Sequence, residues 1–123
     1  MPTLNVQTNV PGDNVVISDV LKDLSKVVAR VIGKPEAYVM ISVKTSIPMC
    51  FAGTEAPAAY AELISIGGLG PDTNKKLSAA ISEILETKLT VPPNRCYIKF
   101  YDVKVSDRGH LSESDFGWNG STF

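Results

Sequence analysis

The chain has 123 residues, of which 44% are hydrophobic and 20% charged, and it carries a net charge of −1. That is the size and make-up of one globular domain with one core, and it excludes a disordered chain. The near-neutral charge offers no electrostatic footprint for nucleic acid or an acidic membrane. No apolar run approaches the roughly 20 residues that a membrane span requires.

Proline stands at position 2 and an alternating segment follows at once. If Met1 is removed, as a small neighbouring residue favours, Pro2 becomes a free secondary amine able to accept a proton, which an amide nitrogen cannot do. The competing reading is a proline that merely opens an edge strand, where a missing N–H does no harm. Thr3 to Thr8 reads as a strand with Leu4 and Val6 on one face and Asn5 and Gln7 on the other. Pro11, Gly12 and Asp13 make a turn. Val16, Val20, Leu24, Val27, Val28 and Val31 then recur at helical spacing until Gly33 and Pro35 end the helix. Tyr38 to Val43 reads as a largely buried strand, and Ile47 to Ala52 as a short edge strand weakened by Pro48.

The pattern then restarts. Ala58 to Ile66 reads as a strand, Gly67, Gly68 and Gly70 follow, and Pro71 opens a helix whose apolar face is Leu77, Ile81, Ile84, Leu85 and Leu89. Pro92 and Pro93 end it, and Cys96 to Tyr101 is again a strand. Leu63 follows Leu4 by 59 residues, and Tyr97 follows Tyr38 by the same 59. Two copies of strand, helix, strand are expected to give an α+β fold. In it, two right-handed βαβ units form a four-stranded mixed sheet with two helices on one face, plus short edge strands. The opposite face is expected to be widely apolar and therefore to drive oligomerisation.

The whole of 1–123 reads as one domain, with a polar, aperiodic stretch at 106–114 as a surface loop carrying His110, the only histidine. Cys50 and Cys96 have no metal or redox spacing and read as reduced, buried thiols; no metal or cofactor is expected. The opening lacks the basic and then apolar blocks of a secretory leader, so the expected location is the cytoplasm.

MPTLNVQTNVP at the start, GKP at Gly33 to Pro35, ELISIGGLG around Ser65, YIKFYD from Tyr97 and GWNGSTF at the end are each unspecific. In this order and spacing they resemble the macrophage migration inhibitory factor and D-dopachrome tautomerase family along nearly the whole chain. The wording FAGTEAPAAYAELISIGGLG is similar in flavour to plant members, and 106–114 looks inserted. The resemblance implies a homotrimer with sites at subunit interfaces and keto–enol tautomerase chemistry on phenylpyruvate-like or dopachrome-like aromatic acids. It implies Pro2 as general base, Lys34 as the cation for the substrate carboxylate, and the backbone of Ile66 beside Ser65 as a further contact. Tyr97 would enter from a neighbouring subunit, with Tyr38, Trp118 and Phe123 walling the pocket. Burial and the nearby Lys34 charge would both favour the unprotonated proline amine. Taken alone, Lys34 reads rather as a surface lysine at a helix C-terminus, and Tyr97 still more as a packed sheet aromatic.

Departures from the family pattern temper these implications. Lys99 stands where the mammalian cytokines have a neutral amide, adding a second cation to the substrate site. Ala58-Ala59-Tyr60-Ala61 has no cysteine where those cytokines have a thiol pair. Gly12 and Ser46 stand where they use charged residues on a receptor. The alternative function is thus a signalling or intracellular binding protein of the same family with weak or no turnover, which leaves a receptor or protein partner and leaderless secretion open.

Overall fold

The computed structural model describes residues 2–14 and 16–103. Its regular elements are β1 (Thr3–Thr8), α1 (Ile17–Ile32), β2 (Met40–Lys44), β3 (Ala59–Ile66), α2 (Pro71–Leu89) and β4 (Cys96–Val103). Single 3-10 turns lie at Gly12–Asn14, Glu36–Tyr38 and Pro93–Arg95. The stretch at 106–114 and the pocket residues Trp118 and Phe123 fall outside the described residues.

The strands form one sheet in the order β2-β1-β3-β4. β1 runs parallel to β2, and β3 parallel to β4, each pair bridged by one helix, while β1 and β3 are antiparallel. This is the doubled βαβ arrangement that the repeat predicts. Leu4 pairs directly with Leu63, the two residues that the repeat makes equivalent. The local two-fold relating the halves therefore passes through this pair.

Alternation along each strand sends one set of side chains to the helices. Leu4 and Val6 of β1 and Ala59, Ala61 and Leu63 of β3 are buried against Val20, Leu24 and Val28 of α1 and Leu77, Ile81 and Leu85 of α2. Helix α1 ends as its sequence requires: Gly33 takes the left-handed conformation at φ 81°, and its N–H bonds the Ala29 carbonyl. Helix α2 begins at Pro71, where the missing N–H costs nothing, and Asn74 holds the preceding Gly70 N–H through its side-chain oxygen at 3.3 Å. No helix among the described residues is long and apolar enough to cross a membrane.

Four local expectations are corrected. The second strand begins at Met40, because the turn after Pro35 takes up Tyr38; as an edge strand it is half-buried rather than buried. Ile47 to Ala52 is not a strand. Pro48 breaks any ladder there, and Ala52 and Gly53, at φ 52° and 77°, form a tight two-residue turn closed by reciprocal Phe51–Thr54 backbone bonds of 2.9 and 3.1 Å. The open sheet face is less apolar than expected, since the valines of β1 and β2 point to the helices. That leaves Asn5, Gln7, Ser42, Glu62 and Lys99 among the tyrosines. Cys50, expected to be buried, is exposed because it lies in the irregular loop, and Cys96 is half-buried; both are free thiols.

Leu63 is fully buried at the local two-fold, inside the core cluster shared by both helices. Leu63→Ala is expected to destabilise the fold by about 2–5 kcal/mol, read from chemical denaturation.

Candidate active site

The start of β1 lies where several candidate residues converge. One residue before the Thr3–Ile64 pair, Pro2 lies level with Ser65, and its carbonyl accepts the Met40 N–H at 3.0 Å. Pro2 is buried. Its neighbour across the sheet edge is therefore the start of β2, two residues beyond Tyr38, whose side chain is 41% exposed.

Lys34 reaches the same end from α1. The left-handed Gly33 turns the chain back, so that the Lys34 N–H shares the Ala29 carbonyl at 3.1 Å and its side chain leaves the helix axis. The ammonium Nζ donates to the Ile66 carbonyl at 2.5 Å. A lysine serving only its helix C-terminus would bond the last carbonyls of α1; this one crosses to the end of β3. An ammonium has three N–H donors, so this bond leaves two for another acceptor.

Ser65 is fully buried and its Oγ donates to the Gly67 carbonyl at 2.7 Å. The side chain thus shapes the turn after β3, and the atom that β3 presents to Lys34 is the Ile66 carbonyl. Gly67 and Gly68 follow at φ 73° and 77°, and at Gly68 an added Cβ would stand 2.7 Å from the Ile32 side chain. The glycines let this turn approach the end of α1, which brings Lys34 within reach of β3.

Tyr97 and Lys99 lie elsewhere. Tyr97 pairs with Tyr60, five residues down β3 from Ser65, which is about 17 Å along the strand and two strands to the side. Within one chain it is at the far end of the sheet from Pro2. Its ring is 66% exposed and packs against Phe51, with centroids 5.1 Å apart and planes at 59°. Lys99 pairs with Glu62 in mid-sheet, and its ammonium lies 4.8 Å over the Tyr101 ring. The hydrogen bond to Tyr101, and then the charge of that residue, hold Lys99 above the usual lysine range. Tyr60 is likewise raised, first by its 2.9 Å hydrogen bond to Glu62.

The sequence reading passed over Arg95 and Phe51. The Arg95 guanidinium donates to four backbone carbonyls, of Phe51, Thr54, Ala56 and Pro57, at 2.9–3.3 Å, and its Cζ lies 5.3 Å from the Phe51 ring centre. Because its partners are main-chain atoms of a loop, no residue type in the sequence signals the pairing. Among the described residues no group of three His, Cys, Asp or Glu side chains is placed to hold a metal ion.

A doubled βαβ sheet backed by two helices, with its first strand starting beside a lysine-bound strand end, defines a class of small α+β protein. Comparison with known proteins makes that class specific. The family model described as macrophage migration inhibitory factor (MIF) matches residues 1–123. The chain belongs to that family. A macrophage migration inhibitory factor homolog of Trichuris trichiura is 42% identical over 123 residues, covering all of both chains. A homolog from Brugia malayi is 41% identical, covering 100% of this chain and 99% of its own. Among solved structures, the homologue from Prochlorococcus marinus is similar at a TM-score of 0.83 with 37% identity, covering 98% of each chain.

Burial pushes the Cys96 thiol up to about 11 from 9.0. The folded value lies above the unfolded one, so the stability Cys96 contributes is complete below about pH 9 and is lost as pH rises through 11. At roughly pH 8.5, where only thiolate reacts, iodoacetamide is expected to modify exposed Cys50 well before Cys96, as read by peptide mass spectrometry.

Proposed function

We propose that the protein is a keto–enol tautomerase acting on small aromatic keto acids of the phenylpyruvate or dopachrome type, with Pro2 as general base. The observation that carries the reading is the convergence of Pro2, level with Ser65, and of Lys34, whose ammonium is bound to the Ile66 carbonyl, at one end of the sheet. Membership of the macrophage migration inhibitory factor family supports it.

In this mechanism Met1 is removed, and the Pro2 nitrogen takes a proton from the carbon beside the substrate carbonyl. The electron pair of that C–H bond becomes the enol C=C, the carbonyl π pair moves to oxygen, and Pro2 gives the proton it took to that oxygen, which restores the free amine; the enol-to-keto direction runs the same transfer backwards. Only protons and electron pairs move, so the step needs no metal or cofactor. Lys34 holds the substrate carboxylate with the donors its Ile66 bond leaves spare, which fixes the carbon beneath the base. The Ile66 backbone lines the site, Ser65 holds its turn, and Tyr38 lies at the same end to take the aromatic ring.

Tyr97 is assigned to a neighbouring subunit's site, as a substrate contact or proton donor. It is exposed and too far from Pro2 of its own chain to serve it. A homotrimer with sites between subunits satisfies this, and the two edge strands β2 and β4 carry the unpaired backbone groups through which such subunits join.

A second reading, a signalling or binding protein of the same family with little turnover, is favoured by Lys99. Its ammonium adds positive charge on the strand that also carries Tyr97. A protein partner or receptor then takes the place of a substrate.

The tautomerase reading expects that protein shown by intact mass to lack Met1 turns over phenylpyruvate, and that Pro2→Gly loses about a hundredfold or more of kcat/KM. Equal rates in the two proteins would end it. If Lys99 limits catalysis, Lys99→Asn raises kcat/KM; an unchanged value removes Lys99 as the cause.

A further inference from the structure

We infer that Arg95 and Phe51 form a positioning device for Tyr97, one that sets how the ring of this residue is presented to a neighbouring subunit's substrate. The inference rests on the assignment of Tyr97 to a shared site and extends it to residues that make no substrate contact.

The loop from Phe51 to Pro57 has no strand partner beyond its own Phe51–Thr54 bridge, and side chains from outside it bond its carbonyls. Asn9 does this from the residue after β1, donating to the Glu55 and Ala56 carbonyls at 3.1 Å and accepting the Ala58 N–H at 2.9 Å. Arg95 does it from the other side. Its Nε donates to Pro57 O at 2.9 Å, Nη1 to Phe51 O at 3.1 Å, and Nη2 to Ala56 O at 2.9 Å and Thr54 O at 3.3 Å. Four of the five guanidinium N–H groups are thereby aimed at one loop, a use of the planar fork that a lysine cannot reproduce.

The fork sits at the end of the Pro93–Arg95 turn, two residues before Tyr97. The loop it fixes carries Phe51, whose ring centre lies 5.3 Å from the Arg95 Cζ and 5.1 Å from the centre of the Tyr97 ring. Arg95, Phe51 and Tyr97 are thus a closed circuit: backbone from Arg95 to Tyr97, ring contact from Tyr97 to Phe51, hydrogen bond and cation–π contact from Phe51 back to Arg95. An exposed tyrosine on an edge strand would otherwise sample several rotamers. Held against Phe51 its rotamers are restricted while most of the residue stays exposed, which is what a residue completing another chain's pocket requires.

The test is a double-mutant cycle on protein lacking Met1, with two readouts: phenylpyruvate turnover, and binding of phenylacetate as an unreactive aromatic acid. Phe51→Leu keeps the Arg95 backbone bonds and removes the ring's contacts with Tyr97 and with the Arg95 cation. It is expected to lower kcat/KM and weaken phenylacetate roughly fivefold, the scale of one aromatic pair. The limb of the pH profile that belongs to the proline base should stay unmoved. In a Tyr97→Leu background the same substitution should add nothing. Arg95→Gln should behave alike, and Arg95→Lys should restore little. Equal losses with and without Tyr97 would overturn the inference while leaving the tautomerase reading intact. A parent protein without turnover, whose phenylacetate binding still shows the coupling, would overturn the tautomerase reading and sustain the inference. A parent that neither turns over phenylpyruvate nor binds phenylacetate would overturn both.

Discussion

The antiparallel pairing of β1 with β3 is the constraint on which the rest of the fold depends. Each βαβ half alone would expose one side of its parallel strand pair and the flank of its helix. Joined through Leu4 and Leu63, the halves give four strands one continuous inner face and place α1 beside α2 over it. Because side chains alternate with a period of two, a slip of one residue in this pairing would turn one strand's inward set, Leu4 and Val6 or Ala61 and Leu63, out of the core. The buried polar groups agree with the same register. Thr8, at the end of the β1–β3 ladder, gives its hydroxyl proton to the Ala58 carbonyl at 2.7 Å, so no side-chain donor is stranded where the strands part.

That pairing also decides where the candidate site can be. It sets the start of β1 against the end of β3, so Pro2 comes level with Ser65 by register alone. The remaining member, Lys34, is delivered by a backbone device, the left-handed Gly33, and accepted by another, the glycine turn at Gly67 and Gly68 that closes on Ile32. Side chains with chemistry are few at this end of the sheet. What makes them a set is main-chain geometry.

Much of this was legible in the sequence because it is periodic. The helices, the repeat and the inner face of β1 follow from spacing alone, and the observed ends of α1 and β1 differ by no more than a residue from those the pattern implies. What could not be read was governed by irregular backbone. Apolar content suggested a strand from Ile47, yet the turn at Ala52 and Gly53 and the Arg95 fork built a loop there, which exposes Cys50. Tyr38 looked like strand, but its position after Pro35 made it the end of a 3-10 turn. The open face was overestimated as apolar because composition counts valines without saying which way they point. Pro2 is a candidate from its own chemistry, whereas Lys34, Ile66 and Tyr97 become candidates only through family resemblance, since a lysine after a helix and a tyrosine in a strand carry no signal of their own.

The repeat carries one consequence beyond the core. Tyr38 and Tyr97 are equivalent residues of the two halves, and a local two-fold between antiparallel strands sends equivalent residues to opposite ends of the sheet. Tyr38 accordingly stands at the end where β1 begins, and Tyr97 at the end where β3 begins. A pocket that draws on Pro2, Tyr38 and Tyr97 together therefore has no single-chain solution, however the loops are arranged. It needs the β4 end of one copy brought to the β1 end of the next. Such head-to-tail contacts use different surfaces on the two partners, and a closed ring is the arrangement that leaves none of them unmatched.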